Sequence, residues 1–423
     1  GSSAQEANTA TSDTTQTKKE IIKKGFNFGP LPVVAFDADK GLQLGALLNI
    51  FDFGDGSEYP NTRQKLYLEA SFFTKGSQLF VINYDNKFLI PGVRWAATAN
   101  LTNDKAMDFY GFNGYMSYYD HERIAAGKNN ENDFLYTPKY RMNRLNFNFK
   151  TDFTGNIWNN KLFWEAGYHF NYMKAAYQKN DHALNLEKIN KGKDENKVYP
   201  DKERTIFDHY RDWGIISNDE AWGGISSAIR VGLLYDTRDN VFYPTRGIFF
   251  KLSAAAAWTS RVDIPEGQQA TINGLLSADL RQFVPLPCNL VFAWQFKAQL
   301  MLSEYAISHL TLYPMLPRLG GQDGLRGVNS DMFRDDIMMA LQAELRIPIW
   351  SIFRGAVFAG IGDVYDYHNW HWAMPKVGYG IGLRATINKA KVNIRFDIAR
   401  SNVDPRWNNI NAYSFYLTAT EAF

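Results

Sequence analysis

From about Phe26 to the C-terminus, apolar and polar residues take turns along the chain. Between Lys391 and Arg400, Val392, Ile394, Phe396 and Ile398 alternate with Asn393, Arg395 and Asp397. Leu145, Phe147 and Phe149 alternate with Asn146, Asn148 and Lys150. Leu290, Phe292, Trp294, Phe296 and Ala298 do so with Gln295, Lys297 and Gln299. Ile337, Met339, Leu341 and Leu345 alternate with Gln342, Glu344 and Arg346. A strand sends successive side chains to opposite faces, so each run has one oily face and one face that holds charges. Roughly sixteen runs can be counted: 29–37, 41–53, 63–74, 78–88, 92–102, 139–153, 161–175, 222–236, 246–260, 269–284, 288–302, 335–347, 354–363, 376–387, 390–400 and 411–423. Many reach roughly ten to fourteen residues, well past the five or six typical of soluble strands. They approach the ~9–11 residues with which a tilted strand crosses a bilayer.

The pattern predicts an all-β fold, a 16-stranded antiparallel transmembrane β-barrel over residues 26–423, with lipid outside and water inside. A soluble β-sandwich also alternates, but open sheets of such long strands would expose edges that need closing. The connections agree with the count. Every second one is short: near Gly54–Thr62, Pro91, Thr154–Asn160, Thr237–Thr245, Pro285–Pro287, Pro348–Phe353 and Asn388–Lys389. The long ones fall in the other set: about Asn103–Pro138, Ala176–Ala221, Ser303–Arg334, Val364–Pro375 and Ser401–Ile410. Short periplasmic turns and long external loops are the habit of outer-membrane barrels, and an even count puts both termini on the periplasmic side. The charged loop Ala176–Ala221 reads as a solvated external loop.

Composition sharpens this picture. The 30 Phe, 23 Tyr and 11 Trp make 15% of 423 residues aromatic, as lipid bands and aromatic girdles require. No run approaches the ~18 apolar residues of a membrane helix. A net charge of +2 argues against nucleic acid as a partner. The single cysteine, Cys288, excludes a disulfide framework and a Cys-based zinc site. Gly1 to Glu20 is small and polar with no apolar run, hence no secretory signal peptide. Residues 1–25 are expected to form a disordered lead-in, because so polar a segment buries too little surface to order itself.

Three segments stand out from the alternation. Val231–Asn240 (V-G-L-L-Y-D-T-R-D-N) leads into Tyr243-Pro-Thr-Arg-Gly247, a strand and turn carrying Asp236, Arg238, Asp239, Pro244, Arg246 and Gly247. Asp side chains in such turns bond nearby backbone N–H groups. Arg318–Val328 (R-L-G-G-Q-D-G-L-R-G-V) lies in the third long loop. Its Gly320, Gly321, Gly324 and Gly327 permit sharp turns and close approach, while Arg326 offers a charged fork suited to a carboxylate. The third comprises Phe358–Val364, Gly380–Arg384, Ile394–Asp397 and the terminal Phe423.

As a set these resemble the BamA/TamA superfamily of outer-membrane assembly factors, the bacterial surface antigen family, to which two-partner secretion transporters also belong. The resemblance runs from about residue 26 to 423 and is strongest after Val231. It implies that the loop at about 303–334, between strands eleven and twelve, folds inward with its Leu325-Arg326-Gly327 motif. Arg326 would then meet an acidic wall. Glu344 is the main anion expected, since Gly360 stands where the family pattern carries Asp. Tyr413, Phe415 and Phe423 resemble the C-terminal signal by which such barrels are recognised for assembly. Family members usually carry soluble periplasmic POTRA domains before the barrel. With a short polar lead-in here, a barrel-only member is expected.

The resemblance implies insertion of outer-membrane proteins, or movement of polypeptide or lipid, in the outer membrane of a Gram-negative bacterium. The bilayer, an unfolded polypeptide or lipid substrate, and periplasmic or outer-membrane proteins would be the partners, with no cofactor. A weak seam between first and last strands would do the work. Pro30 and Pro32 in the first strand cannot donate to a ladder, which leaves an edge for an incoming strand. The alternative is a passive barrel or scaffold binding partner proteins through its external loops. An enzyme is not expected: neither G-x-S-x-G nor H-E-x-x-H occurs. Asp120-His121-Glu122 and His368 with His371 sit in predicted loops and offer too few ligands for a metal.

Overall fold

The computed structural model describes residues 22–37, 41–59, 62–117, 119–120, 140–175, 205–216, 223–241, 243–261, 271–302, 315–367, 375–387, 392–401, 403 and 413–418. The expected lead-in falls almost wholly outside these residues, as do Phe423, His121, Glu122, His368 and His371.

Among the described residues, sixteen strands form one antiparallel sheet in strict chain order. They are β1 (Phe26–Asp37), β2 (Gly41–Asp52), β3 (Gln64–Phe73), β4 (Gln78–Ile90), β5 (Val93–Asp108), β6 (Arg141–Trp158), β7 (Leu162–Ala175) and β8 (Gly224–Asp236). There follow β9 (Gly247–Arg261), β10 (Thr271–Leu286), β11 (Leu290–Leu302), β12 (Ile337–Trp350), β13 (Phe353–Tyr365), β14 (Lys376–Ile387), β15 (Val392–Ser401) and β16 (Ser414–Thr418). Several strands run longer than the sequence pattern alone marks, β5 most of all. Once one neighbour is in register, the ladder continues into residues whose alternation has faded. The described part of β16 pairs five residues with β15.

The faces sort by chemistry as the alternation requires. Ile394 and Phe396 are exposed, while the alternate residues Arg395 and Asp397 are buried. Phe292, Phe296, Leu341, Val357, Ile361 and Ile381 likewise leave their apolar side chains on the exposed face. So large an exposed apolar surface is stable only against another apolar phase.

On the polar side, loops from the long-loop end pack down onto the sheet. Residues 109–117, with a 3-10 turn at Gly114–Met116, and helix α1 (Ile206–Asp212) share an aromatic cluster in which Phe109 lies edge-on to Phe207 at 5.6 Å and Tyr210 at 5.8 Å. A capping box starts α1: Asp208 N donates to Thr205 Oγ1 at 3.2 Å and Thr205 N to Asp208 Oδ2 at 3.1 Å. The β11–β12 loop reaches Asp108 of β5 through Asn329 (3.1 Å) and Asp397 of β15 through Arg326 (2.9 Å). One loop touching strands so far apart in order requires the sheet to curl around it.

Candidate functional site

The inward loop is built on its glycines. Gly321 and Gly327 have φ of 100° and 95°, the left-handed region that favours glycine. Leu325 N donates to Leu319 O at 2.7 Å and Gly321 N to Val328 O at 3.0 Å, folding the motif into a compact knot. Leu319, Leu325 and Val328 are buried with Phe333, Met338 and Val364. Three strands hold the knot by its backbone. Gln342 of β12 donates to Gly324 O at 2.7 Å, Lys297 of β11 to Asp323 O at 3.2 Å, and Gly327 N donates to the Tyr416 hydroxyl of β16 at 3.0 Å.

Arg326 is 1% exposed. Its Nη1 donates to Glu344 Oε2 at 2.8 Å and to Asp397 Oδ2 at 2.9 Å, and its guanidinium lies over the Phe358 ring at 3.5 Å. Arg384 of β14 bridges the same carboxylates, reaching Glu344 Oε2 at 3.0 Å and Asp397 Oδ1. Arg346 Nε donates to Glu344 Oε1 at 2.9 Å, and Arg395 Nε stands 3.6 Å from Asp397 Oδ2. Four guanidinium groups thus gather round two carboxylates away from water. Such ions are costly to desolvate, and their value lies in fixing one geometry.

Glu344 thus meets Arg326 as expected, and Asp397 shares the role. Alternation places Asp397 on the polar face but says nothing of its neighbours. The β14–β15 register, with Arg384 opposite Arg395 and Gly382 opposite Asp397, brings it under the loop. Arg346, Arg384, Arg395, Gln342 and Phe358 stand in the alternating or motif segments, but nothing in the sequence assigned them to this cluster, and Tyr416 had no signal beyond its place in the C-terminal run. A Cβ at Gly360 would lie 2.7 Å from Leu325 Cδ1, so the wall is filled there from the loop side.

The Tyr243–Gly247 segment lies below this cluster. Asp239 accepts from the backbone N–H of Thr245 at 2.9 Å and of Arg246 at 3.2 Å, pinning the β8–β9 turn. Asp236 accepts from Arg238 N at 3.0 Å and from its guanidinium at 2.9 and 2.7 Å. Gly247 has φ of 112°, and a Cβ there would come within 2.4 Å of Thr237 O. Pro244 O accepts from Arg346 Nη1 at 2.9 Å. The turn is thereby tied to Glu344, through Arg346, and so to the loop motif. Pro30 and Pro32 on β1 and Phe415 on β16 lie apart from the cluster, with Tyr413 just before β16; Tyr413 and Phe415 are exposed.

A second charged contact holds the cap at the long-loop end. Lys376 Nζ pairs with Asp363 at 2.8 Å, donates to Tyr115 O at 2.7 Å and lies over the Phe333 ring at 4.7 Å. Beside it, Asp335 presses against Gly114, where a Cβ would sit 2.1 Å from Oδ2. Burial pushes the Asp335 carboxyl up to about 7; the Asp336 N–H it accepts offsets part of this, and the carboxylates of Asp336, Asp366 and Asp363 add to it. A carboxyl raised above its unfolded value of 3.8 binds its proton more tightly when folded. Its contribution is full below that unfolded value and is lost as pH rises through about 7. Hydrogen exchange of residues 109–117, corrected for intrinsic rates, should therefore be faster at pH 8 than at pH 5.5. Asp335→Asn should flatten that difference; an unchanged pH dependence would exclude Asp335 as its source.

Residues 63–423 match the Omp85 superfamily domain. Curated proteins compared by sequence give no significant match. Among solved structures, the chain is similar to BamA from Haemophilus ducreyi lacking POTRA domains 1–3, at 13% identity and TM-score 0.54, covering 93% of this chain and 69% of that one. It is also similar to CdiB from Acinetobacter baumannii, at 11% identity and TM-score 0.51, covering 90% of this chain and 57% of that one. CdiB from Escherichia coli gives 11% identity and TM-score 0.53, with coverages of 93% and 62%. At such identities the likeness is one of fold, and the chain spans somewhat over half to about two thirds of each structure's length. With the family's domain matched over most of its residues, the chain belongs to the Omp85 superfamily of Gram-negative outer-membrane proteins.

Proposed function

We propose that the sheet closes as a sixteen-stranded barrel and that the protein inserts outer-membrane proteins or passes polypeptide through the outer membrane by opening its β1–β16 seam. The observation that carries this is the state of the two terminal strands. Among the described residues no ladder joins β1 to β16. Gly25 O accepts from Phe53 N at 3.0 Å and Gly25 N donates to Gly54 O at 2.8 Å. The β1–β2 register then runs without a shift from Phe26 to Asp37. Backbone groups alternate sides along a strand, so odd positions of β1 face β2 and even positions face the free edge. Pro30 and Pro32 are even. Their missing N–H groups fall on the side that β16 would use, which leaves any closing ladder short of donors.

Gly327, beside Arg326, holds Tyr416 of β16. The inward loop is thus placed to steady the seam strand from inside while the seam stays weak. A passive scaffold needs neither feature. The test is a panel of cysteine pairs joining residues 28–32 to 414–417, in a Cys288→Ser background that removes the native thiol. Reconstituted in vesicles, oxidised pairs should lose substrate insertion or passage and regain it on reduction. Full activity in a quantitatively oxidised seam would end the proposal.

A further inference from the structure

At the short-turn end two hairpins part. The β11–β12 ladder ends with Val291 opposite Arg346, and below that pair the β10–β11 and β12–β13 tips enclose a cleft of about 550 Å³. Register shows which of its side chains belong to the inner face. Pro285 lies opposite Val291 and Val291 opposite Arg346; Pro348 lies opposite Arg354, and Arg354 opposite Arg384. Residues directly opposite share a face. Arg346 and Arg384 hold Glu344 on the inner side, so Pro285, Val291, Pro348 and Arg354 lie on that side too. All four line the cleft, with Thr245 of the β8–β9 turn and Asn289 of the β10–β11 tip. On the other side of the sheet Trp350 stacks on Phe353 at 6.5 Å and backs the fork from outside.

Arg354 differs from the other arginines of this face. Arg326, Arg346, Arg384 and Arg395 each meet Glu344 or Asp397. Among the described residues no carboxylate pairs with Arg354, and its Nε is buried without a hydrogen-bond partner. Its guanidinium rests against the Tyr243 ring at 4.5 Å, which orients the charge without neutralising it. No acidic residue lines the cleft. An always-charged planar fork beside two pyrrolidine rings and a valine suits a carboxylate with an apolar side chain next to it. The buried Val291–Arg346 pair closes the cleft at its upper end. A polypeptide can enter from the short-turn side but cannot run through, so the part that reaches Arg354 is a chain end.

We propose that this cleft takes the C-terminal residue of an incoming polypeptide: its α-carboxylate on Arg354, its apolar side chain against Pro285, Val291 and Pro348, and its last N–H group on the Asn289 amide. Capture of a terminal carboxylate is a recurrent way of holding peptides. A bare anion gains nothing from the apolar walls. The inference deepens the insertion or passage reading and rests on it for calling the peptide a substrate: the substrate gains a first hold at the short-turn rim, away from the seam strands.

Fluorescence anisotropy tests it, with the detergent-solubilised full chain titrated into a short labelled peptide that ends in phenylalanine with a free carboxylate. The C-terminal amide of the same peptide should bind at least tenfold more weakly, and so should a free acid ending in glycine. Arg354→Gln should erase the difference between acid and amide and Arg354→Lys keep part of it, in proteins that migrate as folded on unheated gels. Equal binding of acid and amide, an acid preference untouched by Arg354→Gln, or competition by acetate as strong as that by N-acetylphenylalanine would each overturn the site. A peptide amide with an internal aspartate that binds as tightly as the free acid would assign the cleft to acidic side chains and overturn chain-end capture. Seam-locked protein separates the two proposals. Lost peptide binding in a chain whose lock still blocks activity removes this site alone, and retained binding in a locked but fully active chain removes the seam alone.

Discussion

Replacing Glu344 with alanine is expected to cost more stability than replacing Arg326, although the two touch each other. Glu344 receives Arg326, Arg346 and Arg384 at once. Without it three buried guanidinium groups are left to the single carboxylate of Asp397 and to carbonyls such as Pro244 O. Removing one partner from a buried ion pair costs about 3–5 kcal/mol, because the remaining charge stays buried. Arg326→Ala leaves both carboxylates with Arg346, Arg384 and Arg395, so its cost is that of charge-assisted hydrogen bonds, about 2–3 kcal/mol. Glu344→Gln should fall between, keeping shape while losing charge. The unfolding midpoint on heating, read by the shift from folded to unfolded gel migration, orders the three variants. A more stable Glu344→Ala than Arg326→Ala would mean that the loop, not the wall carboxylate, organises the cluster. The activity assay adds a second axis. Arg326→Ala should impair insertion or passage beyond its effect on folding, whereas a scaffold working through external loops would tolerate it.

The face of every strand segment quoted above could be read from alternation, because one wrong register step would send Arg395 and Asp397 into lipid. The inward fold of the β11–β12 loop was implied by the family resemblance that Leu325-Arg326-Gly327 carries; the glycines alone say only that the chain can turn sharply there. What alternation does not hold is the neighbour across the sheet. Glu344 and Asp397 are 53 residues apart and three strands apart, and only the summed registers of β12 to β15 bring them to one guanidinium. The substitution of Gly for Asp at position 360 pointed to a weaker lock. In the structure Asp397 and the buried Leu325 take up that role and that space.

Gly378→Val offers the cleaner way to lift the loop, because it leaves every charge of the cluster in place. Gly378 of β14 pairs with Ser401 on one side and Gly360 on the other. A Cβ there would sit 2.0 Å from Arg326 O and 3.4 Å from Leu325 Cγ. A backbone oxygen cannot swing aside as a side-chain tip can, so the knot itself must rise from the wall. The isopropyl group of valine enlarges the clash, and its β-branched shape otherwise suits a strand, so pairing of β13, β14 and β15 should persist. The expected result is a protein that still migrates as folded but whose residues 318–334 are cut by protease at least tenfold faster than in the parent chain. Insertion or passage should fall with it. Gly382→Ala is the matched control at the next level of the wall: its Cβ would meet Asp397 Oδ1 at 2.1 Å and Arg384 Nη1 at 2.3 Å, disturbing the ion cluster instead of the loop backbone. If Gly378→Val leaves proteolysis and activity unchanged, the close seating of the Arg326 backbone on β14 is not what holds the loop. The charges would then hold it alone, and Glu344→Ala should release residues 318–334 where Gly378→Val does not.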